Sequence, residues 1–106
     1  MSEPITSIYD NSGKLVGKFK FGVAWASPKR VRLGEYDDDF VYDNNSSMLA
    51  KVNENHIINI IGEEIGYVSE GDIFVASTKV GKYAGSAAAG AAAVVLIFNK
   101  EAVYGS

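Results

Sequence analysis

Apolar and polar positions along this chain follow a short pattern that keeps returning. Its clearest copy is Ile65-Gly66-Tyr67-Val68-Ser69-Glu70-Gly71-Asp72-Ile73-Phe74: an apolar residue, a glycine, a strand closing on an apolar residue, a tight turn and a second apolar strand. The first apolar position of successive copies falls at Val16, Leu33, Leu49, Ile65 and Val80, spacings of 17, 16, 16 and 15 residues. A fixed period decides the fold before any single element does. A period near 16 holds two short strands and two turns, so each unit is predicted to be a β-hairpin.

Taken in order, Ile8-Tyr9-Asp10 opens a strand and Asn11-Ser12-Gly13-Lys14 turns it, since Asn and Gly tolerate the positive φ of tight turns. Leu15 to Phe19 returns, Lys20-Phe21-Gly22 turns again, and Val23-Ala24-Trp25 runs until Ser27-Pro28 ends its pairing. The second copy is Leu33 to Tyr36, a turn at Asp37-Asp38-Asp39, and Phe40-Val41-Tyr42. Its next turn, Asp43-Asn44-Asn45-Ser46, closely parallels Asp10 to Gly13. The third joins Leu49-Ala50-Lys51-Val52 through Asn53-Glu54-Asn55 to a strand read as His56 to Ile61, with Gly62-Glu63-Glu64 as the next turn. Adjacent apolar pairs such as Ile57-Ile58 break strict alternation, which predicts burial on both faces, a bulge or a sharp bend. Val80-Gly81-Lys82-Tyr83 is a fifth half-copy.

Gly17, Gly34, Gly66 and Gly81, with Ala50 in the third copy, occupy the same point of each strand. Strand interiors disfavour glycine except where the strand coils sharply or another backbone comes close. Four or five hairpins around an axis would bring these points together at a crowded centre. The units Ile8 to Phe19 and Val41 to Val52, with Ile65-Gly66-Tyr67-Val68 and Val80-Gly81-Lys82-Tyr83, resemble the repeat of the bacterial four-fold beta flower domains. The resemblance spans roughly residues 5–83 and implies hairpins set about a pseudo-four-fold axis, with no activity attached. The chain departs from it at Trp25-Ala26-Ser27-Pro28-Lys29-Arg30, which stands where a Tyr-Asp-turn segment would be.

After Tyr83 the pattern gives way to alanine. Ala87 to Ala93 predicts a helix, with Ser86 as its N-cap, and Val94-Val95-Leu96-Ile97-Phe98 either continues it or reverts to strand. A helix with no polar face must be buried on all sides. The run from Ala84 to Phe98 is shorter than the roughly 18–20 residues that cross a bilayer, so it is expected to pack on the β-domain or a partner subunit, with a membrane second. The predicted fold class is therefore mainly β: pseudo-symmetric hairpin repeats plus one C-terminal Ala-rich apolar helix. A chain of 106 residues makes one domain, divided into repeats (5–83), helix (85–98) and a tail (99–106).

Composition removes several kinds of chemistry. There is no cysteine, hence no disulfide, thiolate metal site or cysteine nucleophile. A net charge of −3 gives no electrostatic case for nucleic acid. Met1-Ser2-Glu3-Pro4 lacks the apolar stretch of a signal peptide, and the expected compartment is the cytoplasm.

The densest acidic cluster is Asp37-Asp38-Asp39 with Glu35 and Asp43. It lacks the alternation and glycine of a calcium loop, and aspartate is a good turn residue there. Lys14, Lys18, Lys20, Lys29, Arg30 and Arg32 place six of the ten basic residues between positions 14 and 32, beside Phe21 and Trp25. Such a segment suits an anionic backbone, lipid or glycan, or simply a solvated edge. His56, the single histidine, lies near Glu54 and Glu63 without an adjacent nucleophile. Glu63-Glu64 reads as a turn, and Gly81 and Gly85 form no phosphate or dinucleotide loop. No catalytic, cofactor-binding or metal-ligating set is predicted. The expected function is a small non-enzymatic interaction or structural module, associating with itself through the apolar helix or with another protein. The alternatives are a membrane or anionic-ligand module using residues 84–98 and the Lys14–Arg32 segment, and a small hydrolase using His56.

Overall fold

In a computed structural model the described residues are 5–98; the expected tail at 99–106 lies outside them. They form ten strands: β1 (Thr6–Asp10), β2 (Leu15–Lys20), β3 (Val23–Ala26), β4 (Arg32–Tyr36), β5 (Phe40–Tyr42), β6 (Met48–Asn53), β7 (His56–Asn59), β8 (Glu64–Ser69), β9 (Asp72–Val75) and β10 (Thr78–Ala84). Every strand pairs antiparallel with its sequence neighbours, and β1 pairs with β10, closing a barrel. The half-copy at Val80 is completed by the N-terminal strand, so the units number five rather than four. Closure leaves no sheet edge exposed.

The repeat has a covalent-geometry basis in five β-bulges. Across β1 and β2, Ile8 faces Gly17 and Tyr9 faces Leu15, leaving Val16 as the extra residue. The same skip recurs at Leu33, Leu49, Ile65 and Val80. These are the residues whose spacing marked the period. A bulge bends its strand and sharpens the twist, which is what curls ten strands into a cylinder. It also explains the failed alternation, because the bulged residue and the glycine after it both serve the interior.

Opposite the glycine positions stand Ile8, Ala24, Val41, Ile57 and Ile73, all buried. Two residues beyond the glycines come Phe19, Tyr36, Val52, Val68 and Tyr83, and together these positions form the inner wall. Ala24 is the small member of its ring. Phe19 and Tyr36, 5.7 Å apart between ring centroids, are the large residues that flank it.

The centre is filled by the chain itself. Helix α1 (Ala87–Ala93) and the π-helical segment Val94–Phe98 run into the lumen, and Ala89 to Leu96 are buried. Ser86 caps α1 as expected, its Oγ accepting from the Ala88 and Ala89 N–H groups at 3.1 and 3.5 Å. Its own N–H donates to Thr6 Oγ1 at 2.9 Å, which ties the helix start to the closing strand. Gly85, at φ +138°, makes the bend over Thr6. Continuation as helix, rather than strand, has a reason: the barrel ladder is closed, so buried backbone in the lumen must satisfy its own N–H and C=O groups.

The inward glycines do not meet one another. Each faces the helix: a Cβ on Gly17 would lie 2.8 Å from Ile97 Cδ1, on Gly66 2.8 Å from Val94 Cγ1, on Gly81 2.8 Å from Phe98 Cζ, and on Gly34 3.2 Å from Leu96 Cδ2. Gly34, Gly66 and Gly81 are also pressed by the carbonyls of Tyr42, Phe74 and Tyr9 in the adjacent strands. An eight-stranded barrel is just filled by side chains. Ten strands leave room for a helix, and the glycines widen that room where its side chains are largest. No described helix is long and apolar enough to cross a membrane.

Candidate functional site

The barrel has two rims of different character. At one, even-numbered strands turn into odd ones. The turns at Phe21-Gly22, Glu54-Asn55 and Glu70-Gly71 have positive φ at both central residues, the geometry that matches strand twist in two-residue hairpins. The helix enters here. At the opposite rim, odd strands turn into even ones around the helix terminus. Three of its turns share one device. Asp10 Oδ1 accepts from the N–H groups of Ser12 and Lys14, Asp43 Oδ1 from those of Asn45 and Ser47, and Asn59 Oδ1 from those of Ile61 and Glu63, all at 2.8–3.1 Å. The hydrogen bonds from Ser12 Oγ and N–H and from Lys14 hold the Asp10 carboxyl below its usual range.

Among the acidic candidates Glu35 and Asp37 share a groove beside Tyr42, on which Asp39 also acts through its charge. Asp37 Oδ1 accepts from the Asp39 and Phe40 N–H groups at 2.8 Å, so it stabilises the β4–β5 turn. Asp43 lies at the other rim, and Glu35 on the wall pairs with Arg32 at 3.3 Å. Among the described residues no group of three or more potential ligands is placed to hold a metal ion. The six basic residues spread from rim to rim. Lys14, Lys29 and Arg30 sit around the helix-terminus rim, Lys18 and Arg32 flank Trp25 on the ladder, and Lys20 stands 5.9 Å over the Phe21 ring.

His56 Nδ1 lies 2.8 Å from Glu64 Oε1, not from Glu54 or Glu63, and both side chains are about half exposed (49 and 52%). Its ring stands 5.7 Å from Tyr67, which in turn stacks on Phe74 at 4.5 Å. The histidine ends an aromatic row on the convex outer wall, and among the described residues no hydroxyl hydrogen-bonds to the pair. Gly81 faces Phe98 and Gly85 bends the chain over Thr6, so both are packing positions.

Two surface features were not singled out in the sequence. One is an open groove of about 340 Å³ lined by Phe21, Gly22, Glu35, Tyr36, Asp37, Tyr42 and Ser46. Tyr42 Oη lies 3.5 Å from Asp37 Oδ2; removal from water, then the charge of Asp37, raises its phenol above the ordinary value of 10. The groove is open to solvent; in it Ser46 Oγ donates to Glu35 Oε2 at 3.2 Å, a hydroxyl–carboxylate pair whose carboxylate is also held by Arg32 at 3.3 Å. The other is the helix-terminus rim, where Val31, Met48, Ile60 and Ile61 are 53, 47, 50 and 59% exposed. Ile60 and Ile61 belong to the turn after β7, not to the strand, and β8 already begins at Glu64. They project because Asn59 starts the turn, exactly 16 residues after Asp43 does the same.

The chain matches no family model, and no curated protein or solved structure was found to be similar to it.

Proposed function

We propose that the protein is a non-enzymatic interaction module that associates through its outer surface. The observation that carries this reading is the filled lumen. Up-and-down antiparallel barrels of the lipocalin kind hold a small ligand in the lumen, and here α1 and the segment after it occupy that space. Recognition is left to the walls and rims. Association through the apolar helix itself would need a face that the barrel already covers, so the exposed apolar residues of the helix-terminus rim take that role. The exposed His56–Glu64 pair supports the same reading, since it lacks an orienting third group and an enclosed site. The kinship to four-fold beta flower domains belongs to this proposal as well. The recurrent hairpin and glycine support it, while the count of five units departs from it.

The test is light scattering on the full chain over a range of concentrations, combined with a panel of ester and glycoside substrates. A mass that rises with concentration and no turnover are expected. A hydrolytic activity that disappears in His56→Ala would overturn the proposal in favour of an enzyme.

A further inference from the structure

The five turns around the helix terminus carry unequal loads. In ring order, the β1–β2 turn is polar, with Asp10 balancing Lys14; the β3–β4 connection carries Lys29, Arg30 and exposed Val31; the β5–β6 turn leads to Met48; the β7–β8 turn carries Ile60 and Ile61 and closes on Glu63 and Glu64; and the β9–β10 connection, Ala76-Ser77, is uncharged. The exposed apolar residues thus occupy three consecutive turns. Two cations mark one end of that arc and two carboxylates mark the other, Glu63 accepting from Asn59 Nδ2 at 3.5 Å and Glu64 turned along the wall to His56 at 2.8 Å.

We propose that this arc is the docking face for a second copy of the chain, placed rim to rim about a two-fold axis through the β5–β6 turn. The proposal rests on the self-association reading and names its surface. A two-fold axis lying across the rim sends each turn to its mirror position on the ring. With the axis through β5–β6, the Lys29–Arg30 turn of each copy faces the Glu63–Glu64 turn of the other, and Val31 faces the Ile60–Ile61 pair. Met48 falls near the axis and packs on its own symmetry mate. A two-fold interface must be complementary to itself, and this arc meets that condition in charge as well as in apolar content. Asp43 also falls near the axis, but its carboxylate is folded back onto its own turn by the Asn45 and Ser47 N–H groups. Glu63 and Glu64 beside the isoleucines fit a partner with cations at that point better than an anionic bilayer.

Sedimentation equilibrium on the full chain and three variants tests this. Lys29→Glu with Arg30→Glu makes both ends of the arc negative, and Glu63→Lys with Glu64→Lys makes both positive. Each variant alone should associate at least about tenfold more weakly, and an equimolar mixture should recover a heterodimer. Ile61→Asp should weaken association about thirtyfold or more while leaving the thermal midpoint in place, because the side chain is exposed. If the native chain stays monomeric at every concentration, the self-association reading fails together with this one. A dimer indifferent to all three variants leaves that reading standing and overturns the rim assignment. A monomer that Ile61→Asp destabilises would give the arc to other residues of the same chain. A monomer that binds phosphatidylcholine vesicles, and loses that binding in Ile61→Asp, would give it to a membrane. Either result overturns the proposal.

Discussion

The two halves of the lumen solve the same packing problem in opposite ways. Near the helix entrance the wall is bulky, with Phe19, Tyr36, Val52, Val68 and Tyr83, and the helix offers only alanine and Gly90. Near the helix terminus the wall shrinks to Gly17, Gly34, Ala50, Gly66 and Gly81, and the helix offers Val94, Leu96, Ile97 and Phe98. Volume is shared between wall and helix layer by layer, as close packing requires. The complementarity fixes the axial position of the helix. A shift by one turn toward the entrance would drive Val94 and Leu96 against aromatic rings and leave a void among the glycines. The barrel is therefore a solid body and not a container.

Removing residues 85–106 abolishes the comparison, so it carries the largest expected effect. Val94, Val95 and Leu96 alone, at about 1.5–3 kcal/mol each for full burial, match much of the roughly 5–15 kcal/mol by which a small domain is stable. The truncated chain should lose its cooperative thermal transition, bind a hydrophobic dye and aggregate. A soluble, cooperatively unfolding 1–84 fragment would show that the wall stands without its filling.

Substitutions in the glycine ring sharpen the comparison, because they meet different obstacles. A Cβ on Gly66 meets the Phe74 carbonyl as well as Val94, so Gly66→Ala should cost about 3 kcal/mol and Gly66→Val more; Val94→Ala should not restore either. A Cβ on Gly17 meets chiefly the flexible end of Ile97 and the Phe19 ring edge. Gly17→Ala should cost about 1 kcal/mol, and most of it should return with Ile97→Val, read as coupling in a double-mutant cycle by chemical denaturation. Equal costs at the two sites would mean that the strand backbone, and not the helix, sets the glycine requirement. In the other half, Gly90→Ala gains about 1 kcal/mol of helix propensity, yet its Cβ would lie 2.6 Å from the Tyr83 ring. A net loss of about 1 kcal/mol is expected, turning into a gain when Tyr83 is also replaced by leucine.

Much of this architecture was legible in the chain. The period, the hairpins and the glycine position follow from Val16, Leu33, Leu49, Ile65 and Val80 read together, and burial of the helix on all sides follows from its missing polar face. Two things were not legible. The fifth unit pairs Thr6–Asp10 with Thr78–Ala84, strands at opposite ends of the sequence whose pairing leaves no local signal. The place of the helix depended on that count, since only a closed ten-stranded wall encloses a lumen wide enough to hold it. The apolar rim was hidden by one local misreading. Ile60-Ile61 looks like the end of a strand, whereas Asn59 repeats the turn-starting role of Asp10 and Asp43 at the same period. The spacing of those three residues was the available signal.

The smallest expected effect separates two of those equivalent turns by pH. Asp10 and Asn59 place a side-chain oxygen against the same pair of N–H groups, but only one of them titrates. The Ser12 hydroxyl, then the backbone N–H of Lys14, favour the charged carboxylate, so the folded-state pKa of Asp10 lies below its ordinary value of 3.8. For a depressed carboxylate the sign is fixed: its contribution is fully present above the unfolded pKa and disappears as pH falls through the folded one. Denaturant midpoints measured between about pH 5 and pH 2 should therefore fall, and Asp10→Asn should flatten part of that fall while leaving the midpoint near pH 7 little changed. Asn59→Asp is not the mirror experiment, because Asn59 is buried and its Nδ2 donates to Glu63 Oε1 at 3.5 Å, so the new carboxylate would be set against Glu63. A pH profile identical in native protein and Asp10→Asn would show that the Asp10 carboxylate contributes nothing to folding in its charged form.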